Sequence, residues 1–249
     1  MLIQLIRSAT LKVEMAGTRL LIDPWLAEKG QGRNHSGRAL SPLVDLSLSV
    51  VEILDGVDAV LVSHLHSDHF DEVAQQLIPK RTPILCHGRD AAAIRARGFE
   101  QVLAVGEGID LGSVHIRTTD GQHGPPEVLE AMGAVSGFLL SAKDEPLLYW
   151  AGDTILCSPV EAVLRNERPG VVVVHGCGAR WEGKGPLVMD GEMVLHTLRL
   201  SGDATVVVTH LDAVDHATVS RADIRRLAAA GANGADRLLI PEDGEVLTF

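Results

Sequence analysis

The sequence predicts a layered α/β fold, and three observations carry that expectation. Short runs rich in Val, Leu and Ile alternate along the chain with stretches whose apolar residues recur at helical spacing. Hydrophobic residues make up 46% of the chain and aromatics only 3%, so a large core has to be aliphatic. No linker, repeat or low-complexity segment interrupts the 249 residues, so residues 1–249 are expected to fold as a single domain.

Residues 2–23 read as two or three strands, with residues 11–15 and 19–23 flanking the turn Ala16-Gly17-Thr18 as in a hairpin. The second arm runs out at Asp23-Pro24-Trp25. Asp before Pro commonly serves a turn, but a carboxylate at a strand end is equally a candidate to orient a metal ligand. Periodicity fades over residues 26–49, where Gly30, Gly32, Asn34, Ser36, Gly37 and Pro42 mark a long loop. Its Arg33, His35 and Arg38 are placed to reach over an active site and meet an anionic substrate. The apolar run of residues 59–63 is a strand that delivers His64-Leu65-His66-Ser67-Asp68-His69.

Residues 71–78 carry apolar side chains at helical spacing and stop at Pro79. A strand over 83–86, a helix over 89–97 closed by Gly98 and a strand over 101–105 follow. Residues 114–119 alternate as a half-buried strand and run into Gly121-Gln122-His123-Gly124. Residues 135–141 and 146–151 read as paired strands, the second ending in Gly152-Asp153-Thr154, where glycine permits a sharp turn. A helix over 160–168 precedes a buried strand of four valines ending at His175, then a glycine-rich loop over 176–186. A helix over 189–200 leads to the β-branched strand 205–209, which ends in His210. A helix over 220–230 and a final strand pair, 237–240 with 245–248, close the chain.

A formal net charge of −11 argues against a surface for nucleic acid or anionic membranes, which needs a basic footprint, but leaves a local basic pocket open. Cys86, Cys157 and Cys177 are isolated, giving neither a disulfide framework nor a thiolate zinc site, and point to a reducing, cytoplasmic location. The first residues lack the order of a secretory signal, and no apolar run is long enough to span a bilayer. Signatures of zincins (H-E-x-x-H) and zinc deaminases (H-x-E with P-C-x-x-C) are missing.

Four metal-capable side chains within residues 64–69 exceed what one ion takes from a short loop, so two neighbouring ions can share them. Imidazole and carboxylate ligands suit zinc, manganese or iron. In sheets covered by helices, sites form beyond the carboxyl ends of the strands. Here the strands ending in Asp23, His64, Asp153, His175 and His210 all finish in a residue able to bind a metal or orient one that does.

The run His64-x-His66-x-Asp68-His69, followed by His123, Asp153 and His210, resembles the metallo-β-lactamase superfamily. Leu21-Ile22-Asp23-Pro24-Trp25, Gly121-Gln122-His123-Gly124 and Ala151-Gly152-Asp153-Thr154 are similar to its branch of cytoplasmic metal-dependent hydrolases related to ascorbate-6-phosphate lactonase. The resemblance implies an αββα four-layer sandwich of two mixed sheets with helices outside. It further implies two divalent ions, zinc foremost with manganese or iron as alternatives. His64, His66 and His123 would hold the first, Asp68, His69 and His210 the second, with Asp153 between them. Two ions about 3.5–4 Å apart need a shared anionic oxygen, and a water between two dications loses a proton near neutral pH and becomes a nucleophile. Asp68 and Asp153 are therefore the expected catalytic carboxylates, Asp68 moving a proton to or from the leaving group.

Two histidines depart from the family pattern. His175 falls where a small polar residue is more usual, and is read either as a substrate contact or as a packed strand-end residue. His216, six residues past His210, competes with it for the second metal. His87, His115 and His196 are expected to be structural or superficial. Specificity should reside in residues 26–49 and 176–188, where Arg180, Trp181 and Lys184 suit a small anionic molecule. A lactonase-like hydrolase is the preferred expectation, with a phosphodiesterase of a nucleotide or lipid headgroup and a non-catalytic metal-binding regulatory protein as alternatives. No nucleic-acid or membrane partner is expected, and self-association is left open.

Overall fold

The protein is described by a computed structural model covering every residue except His35 and Ala232, so the expectation for His35 lies outside the described residues. The first part of the chain forms β1 (Leu2–Arg7), β2 (Thr10–Met15), β3 (Thr18–Ile22), α1 (Val50–Leu54), β4 (Ala59–Val62), α2 (Glu72–Leu77), β5 (Ile84–Cys86), α3 (Gly88–Ala96) and β6 (Val102–Ala104). The second forms β7 (Ile109–Leu111), β8 (Val114–Asp120), α4 (Leu129–Met132), β9 (Ser136–Ser141), β10 (Leu148–Trp150), α5 (Ser158–Asn166) and β11 (Val171–His175). The small hairpin β12 (Arg180–Trp181) and β13 (Gly185–Pro186) follows, then α6 (Gly191–Leu200), β14 (Thr205–Thr209), α7 (Arg221–Ala229), β15 (Leu238–Leu239) and β16 (Val246–Thr248).

Among the described residues the larger strands form two seven-stranded mixed sheets, ordered β16-β1-β2-β3-β4-β5-β6 and β15-β14-β11-β10-β9-β8-β7. Each sheet joins an antiparallel meander to parallel strands, β3 to β6 in the first and β10, β11, β14 and β15 in the second. Strand periodicity distributes the core among three layers. Val171 and Val173 face inward with Val207, Phe138 and Trp150, against Leu5, Val13, Leu20 and Leu61 of the first sheet. Val172, Val174, Val206 and Val208 face outward and pack on Val160 and Leu164 of α5, Val194 and Leu198 of α6 and Ile224 of α7. On the opposite flank, Leu21, Val60 and Val62 meet Ile53, Ala74 and Ile94 of α1, α2 and α3. The order helices, sheet, sheet, helices is the four-layer architecture the sequence implied.

One expectation is corrected. The last two strands are not paired with each other: β15 runs parallel to β14 in the second sheet, whereas β16 crosses to the first and pairs antiparallel with β1, Leu2 opposite Thr248. Both sheets offered an open edge, and residues 240–245 are enough to move from one to the other. The sequence reading also missed α1, β7, α4 and the β12–β13 hairpin, which lies within residues read as a glycine-rich loop; all are too short for periodicity to register.

Among its described residues the 26–49 loop has no helix or strand, as expected, yet its roots are fixed. The buried Arg7 guanidinium donates to the carbonyls of Trp25 (2.7 Å), Ala27 (2.9 Å) and Val44 (3.2 Å), gripping both ends of the loop. Burial lowers its pKa to about 10, against Asp71, Asp243 and Asp45, which hold the charge in place. Asp71 caps α2 at Ala74 N–H and also accepts from Leu26 and Ala27 N–H at 3.0 and 2.8 Å.

Candidate metal centre

Because β3 and β4 run parallel, Asp23 and His64 emerge side by side at the same sheet end. The Ser63 N–H and hydroxyl donate to Asp23 at 2.8 and 2.6 Å. Its single proton being committed, the hydroxyl oxygen 2.9 Å from His64 Nδ1 has to accept from it, which leaves the lone pair on Nε2. His123 Nδ1 donates likewise to the Leu187 carbonyl (2.9 Å). His123 stands beside Asp153 because their loops are laced together: Gln122 N–H donates to Thr154 Oγ1 and Ile155 N–H to the Gln122 carbonyl, both at 2.9 Å. His64, His66 and His123 each offer a ligand atom within 4.8 Å of the others.

A second group joins His69, Asp153, His175 and His210 at the same mutual limit. His69 Nδ1 lies 2.6 Å from Asp23 Oδ2, so this carboxylate orients both His69 and, through Ser63, His64. Asp153 Oδ2 stands 3.2 Å from His69 Nε2, 3.3 Å from His123 Nε2 and 4.0 Å from His64 Nε2, touching both groups. Its other oxygen is 2.6 Å from His175 Nδ1. Asp68 Oδ2 lies 3.5 Å from His210 Nε2 and 3.9 Å from His69 Nε2.

Backbone strain collects here. Asp23 (φ 45°) and His210 (φ 61°) sit in the left-handed region that non-glycine residues rarely occupy, and His210 N–H is held by the Ser8 carbonyl at 2.9 Å. Gly152 (φ 72°) makes the turn into Asp153, where a Cβ would lie 2.8 Å from the Trp150 ring.

The residues present fit metal ions. Nε2 of His64, His69, His175 and His210 is buried without a hydrogen-bond partner, although a buried nitrogen left so costs about 1–3 kcal/mol. Ligand atoms about 2.1 Å from a tetrahedral ion stand about 3.4 Å apart, close to the 3.2, 3.3 and 3.5 Å separations that are here without hydrogen-bond geometry. Burial first, then neighbouring histidines, pushes the pKa of His64 well below its ordinary value; burial likewise lowers His66 and His123, keeping lone pairs available. For Asp68 and Asp153 burial opposes ionisation, but His69 and His210 outweigh it and hold both carboxylates ionised.

Over the groups opens a cleft of about 1300 Å³, into which His66, Asp68, His123, Asp153 and His210 project. Arg33 and Arg38 line it from the 26–49 loop, and Arg180, Trp181 and Lys184 from the β12–β13 hairpin. Of the two competing histidines, His210 belongs to the second group whereas His216 lines the cleft outside both. His175 is fully buried against Asp153 and is not among the residues that line the cleft, which favours the packed strand-end reading. Burial pulls its pKa down to about 4 against the pull of Asp153, making it a neutral donor to that carboxylate. Ser63 and the Leu187 carbonyl went unnoticed in the sequence; Ser63, directly before the histidine run, was readable as its support, but a backbone carbonyl leaves no sequence signal.

Exchanging Asp23 for Asn replaces the anionic acceptor shared by Ser63 and His69 with a neutral amide. Zinc affinity is expected to fall about 10–100-fold, the usual cost of losing a carboxylate behind a ligating histidine, as measured by competition with a chromogenic chelator.

Comparison with known proteins places this architecture. A family profile described as "Beta-lactamase superfamily domain" matches residues 18–211. The chain is 35% identical to the UPF0173 protein YddR of Bacillus subtilis (strain 168) over 250 residues, covering 98% of each chain. Its structure is similar to that of an isothiocyanate hydrolase from Delia radicum gut bacteria, with a TM-score of 0.95, 35% identity and coverage of 100% of this chain and 99% of the other. A possible metal-dependent hydrolase from Veillonella parvula DSM 2008 matches with a TM-score of 0.95 and 32% identity over 100% and 99% of the two chains. The chain therefore belongs to the metallo-β-lactamase superfamily and, within it, to the UPF0173 metal-dependent hydrolases.

Proposed function

We propose that this enzyme uses two divalent ions, zinc foremost, to hydrolyse a small molecule at an electrophilic carbon. The observation that carries the reading is Asp153 Oδ2, which lies against histidines of both groups at the floor of the cleft. On this reading His64, His66 and His123 hold one ion, and Asp68, His69 and His210 the other, with Asp153 shared. Ions so bound polarise the atom under attack and lower the pKa of water. The chain's own contributions are separable. His175 engages Asp153 Oδ1, leaving Oδ2 for the ligand groups. Asp68, ionised and open to the cleft, is the residue that takes up or delivers a proton at its carboxylate.

The cleft supports a substrate with an anionic and an apolar part. Arg33, Arg38, Arg180 and Lys184 form no ion pair with any described residue, although the chain as a whole carries −11. Leu65, Met132, Leu187 and Trp181 supply apolar wall. Isothiocyanate carbon is the first candidate, supported by the full-length similarity to an isothiocyanate hydrolase. A lactone carbonyl, the electrophile suggested by the sequence motifs, is the second.

The test is zinc-loaded protein given an alkyl isothiocyanate that carries a carboxylate, a phosphorylated sugar lactone and a chromogenic phosphodiester. One of the first two is expected to turn over with kcat/KM above about 10⁴ M⁻¹ s⁻¹ and the phosphodiester at least about 100-fold more slowly. Preference for the phosphodiester, or full activity after chelation, would overturn the proposal.

A further inference from the structure

The cation-bearing wall of the cleft lies on a loop that folds back on itself. Gly30 N–H donates to the Pro42 carbonyl (2.9 Å), Gly32 N–H to the Ser41 carbonyl (2.6 Å) and Ser41 N–H to the Arg33 carbonyl (2.9 Å). A Cβ on residue 32 would lie 2.5 Å from the Ser41 carbonyl oxygen, so this crossing requires glycine. Beyond it, Arg33, Asn34, Ser36, Gly37 and Arg38 are all exposed, and a polar segment of this kind buries little apolar surface to offset the entropy of ordering it.

Its anchor comes from the other sheet. The Asp215 side chain is fully buried, and its Oδ2 accepts from Ser36 N–H at 2.8 Å and from the Ser36 hydroxyl at 2.6 Å. Asp215 N–H donates to Ser41 Oγ at 3.0 Å, and Leu43 N–H to the Ala213 carbonyl at 2.8 Å. Asp215 lies five residues after His210, so one short segment carries a histidine of the second group and the tether of the opposite wall.

We propose that Asp215 is a positioning residue that holds the 30–42 loop in place so that Arg33 and Arg38 meet the substrate. This rests on the reading of the cleft as the substrate site. Ser36 is the tether point between the two arginines, three residues after Arg33 and two before Arg38. Releasing it frees both cations while leaving His210 on its own backbone bond to Ser8. Loss of Asp215 therefore weakens substrate capture without emptying the metal groups.

The experiment uses zinc-loaded full-length protein carrying Asp215→Ala, Ser36→Ala or both. Three quantities are read: hydrogen exchange over residues 30–42, zinc per chain, and KM and kcat on whichever isothiocyanate or lactone the wild type hydrolyses. For Asp215→Ala, exchange in 30–42 and KM are each expected to rise at least about tenfold, with kcat within about threefold and zinc unchanged. Ser36→Ala, which keeps the Ser36 N–H bond to Oδ2, gives a smaller change in the same direction, and the effects in the double variant sum to less than the two single effects, because both substitutions remove the bond from the Ser36 hydroxyl to Oδ2. Unchanged exchange in 30–42 overturns the tether whatever the activity. Faster exchange with unaltered KM overturns the role in substrate capture, and a fall in zinc or kcat with KM unchanged assigns Asp215 to the metal centre instead. Should no compound of the panel be hydrolysed by the wild type, the proposed function falls, while exchange still decides the tether.

Discussion

Asp153→Ala protein is expected to lose zinc from both groups and to hydrolyse its substrate more than about 100-fold more slowly, since even residues behind the ligands cost about 10–100-fold. Asp153 Oδ2 lies within 4.0 Å of the Nε2 atoms of His69, His123 and His64, so one carboxylate oxygen faces ligand nitrogens of both groups. Removing it takes away the negative charge that offsets two dications and strands the His175 Nδ1 donor in a fully buried position. Asp153→Asn keeps the shape but places a neutral amide beside the imidazole nitrogens, so it should resemble alanine in metal content. Elemental analysis and initial rates on the same preparations measure both effects. Two tightly held zinc ions and near-native turnover in Asp153→Ala would remove this carboxylate from the proposed mechanism.

Chelation is expected to lower the melting temperature markedly. A ligand present at about a thousandfold excess over its Kd stabilises by about 4 kcal/mol, and in a chain of this length each kcal/mol moves Tm by about 2–4 °C, giving a drop of about 8–16 °C. The effect should depend on pH. Burial opposes a charge on His69, but Asp153, Asp23 and Asp68 outweigh it and raise its pKa to about 10. A raised pKa means that the metal-free fold draws stability from this proton fully below about pH 6.5 and loses it as pH climbs toward about 10. A protonated imidazole has no lone pair to give, so stabilisation by metal runs the opposite way and grows with pH. The Tm gap between loaded and chelated protein should therefore be wider near pH 8.5 than near pH 6.5 when scanned by calorimetry. A gap that is constant or narrows would mean that His69 holds no proton for the metal to displace.

Much of the centre was legible because its signal is local. Residues 64–69 carry four candidate ligands in one run, and Asp153 and His210 announce themselves by following Gly152 and a β-branched strand. The four valines of residues 171–174 were legible as a buried strand, whereas the division into inward Val171 and Val173 and outward Val172 and Val174 comes from the two sheets. What escaped depends on contacts that no spacing encodes. His123 is oriented by a carbonyl 64 residues away, and Ser36 is tethered by a carboxylate 179 residues away. The separation of β15 from β16 was invisible because each two- or three-residue strand fits either sheet edge equally well until the sheets exist.

The division of the site between the sheets also sets when it can form during folding. His64, His66 and His69 leave the first sheet, while His123, Asp153 and His210 leave the second, the last of them delivered by β14. A nascent chain that has made only its first seventy residues holds a run of histidines with nothing to complete it. On the proposed reading, firm capture of either ion would wait for the partner sheet to dock, after which one ion would cross-link residues 64 and 123 and the other residues 69 and 210. Metal uptake by such a centre would thus be a late, committing event, one that records that both halves of the sandwich have met in register.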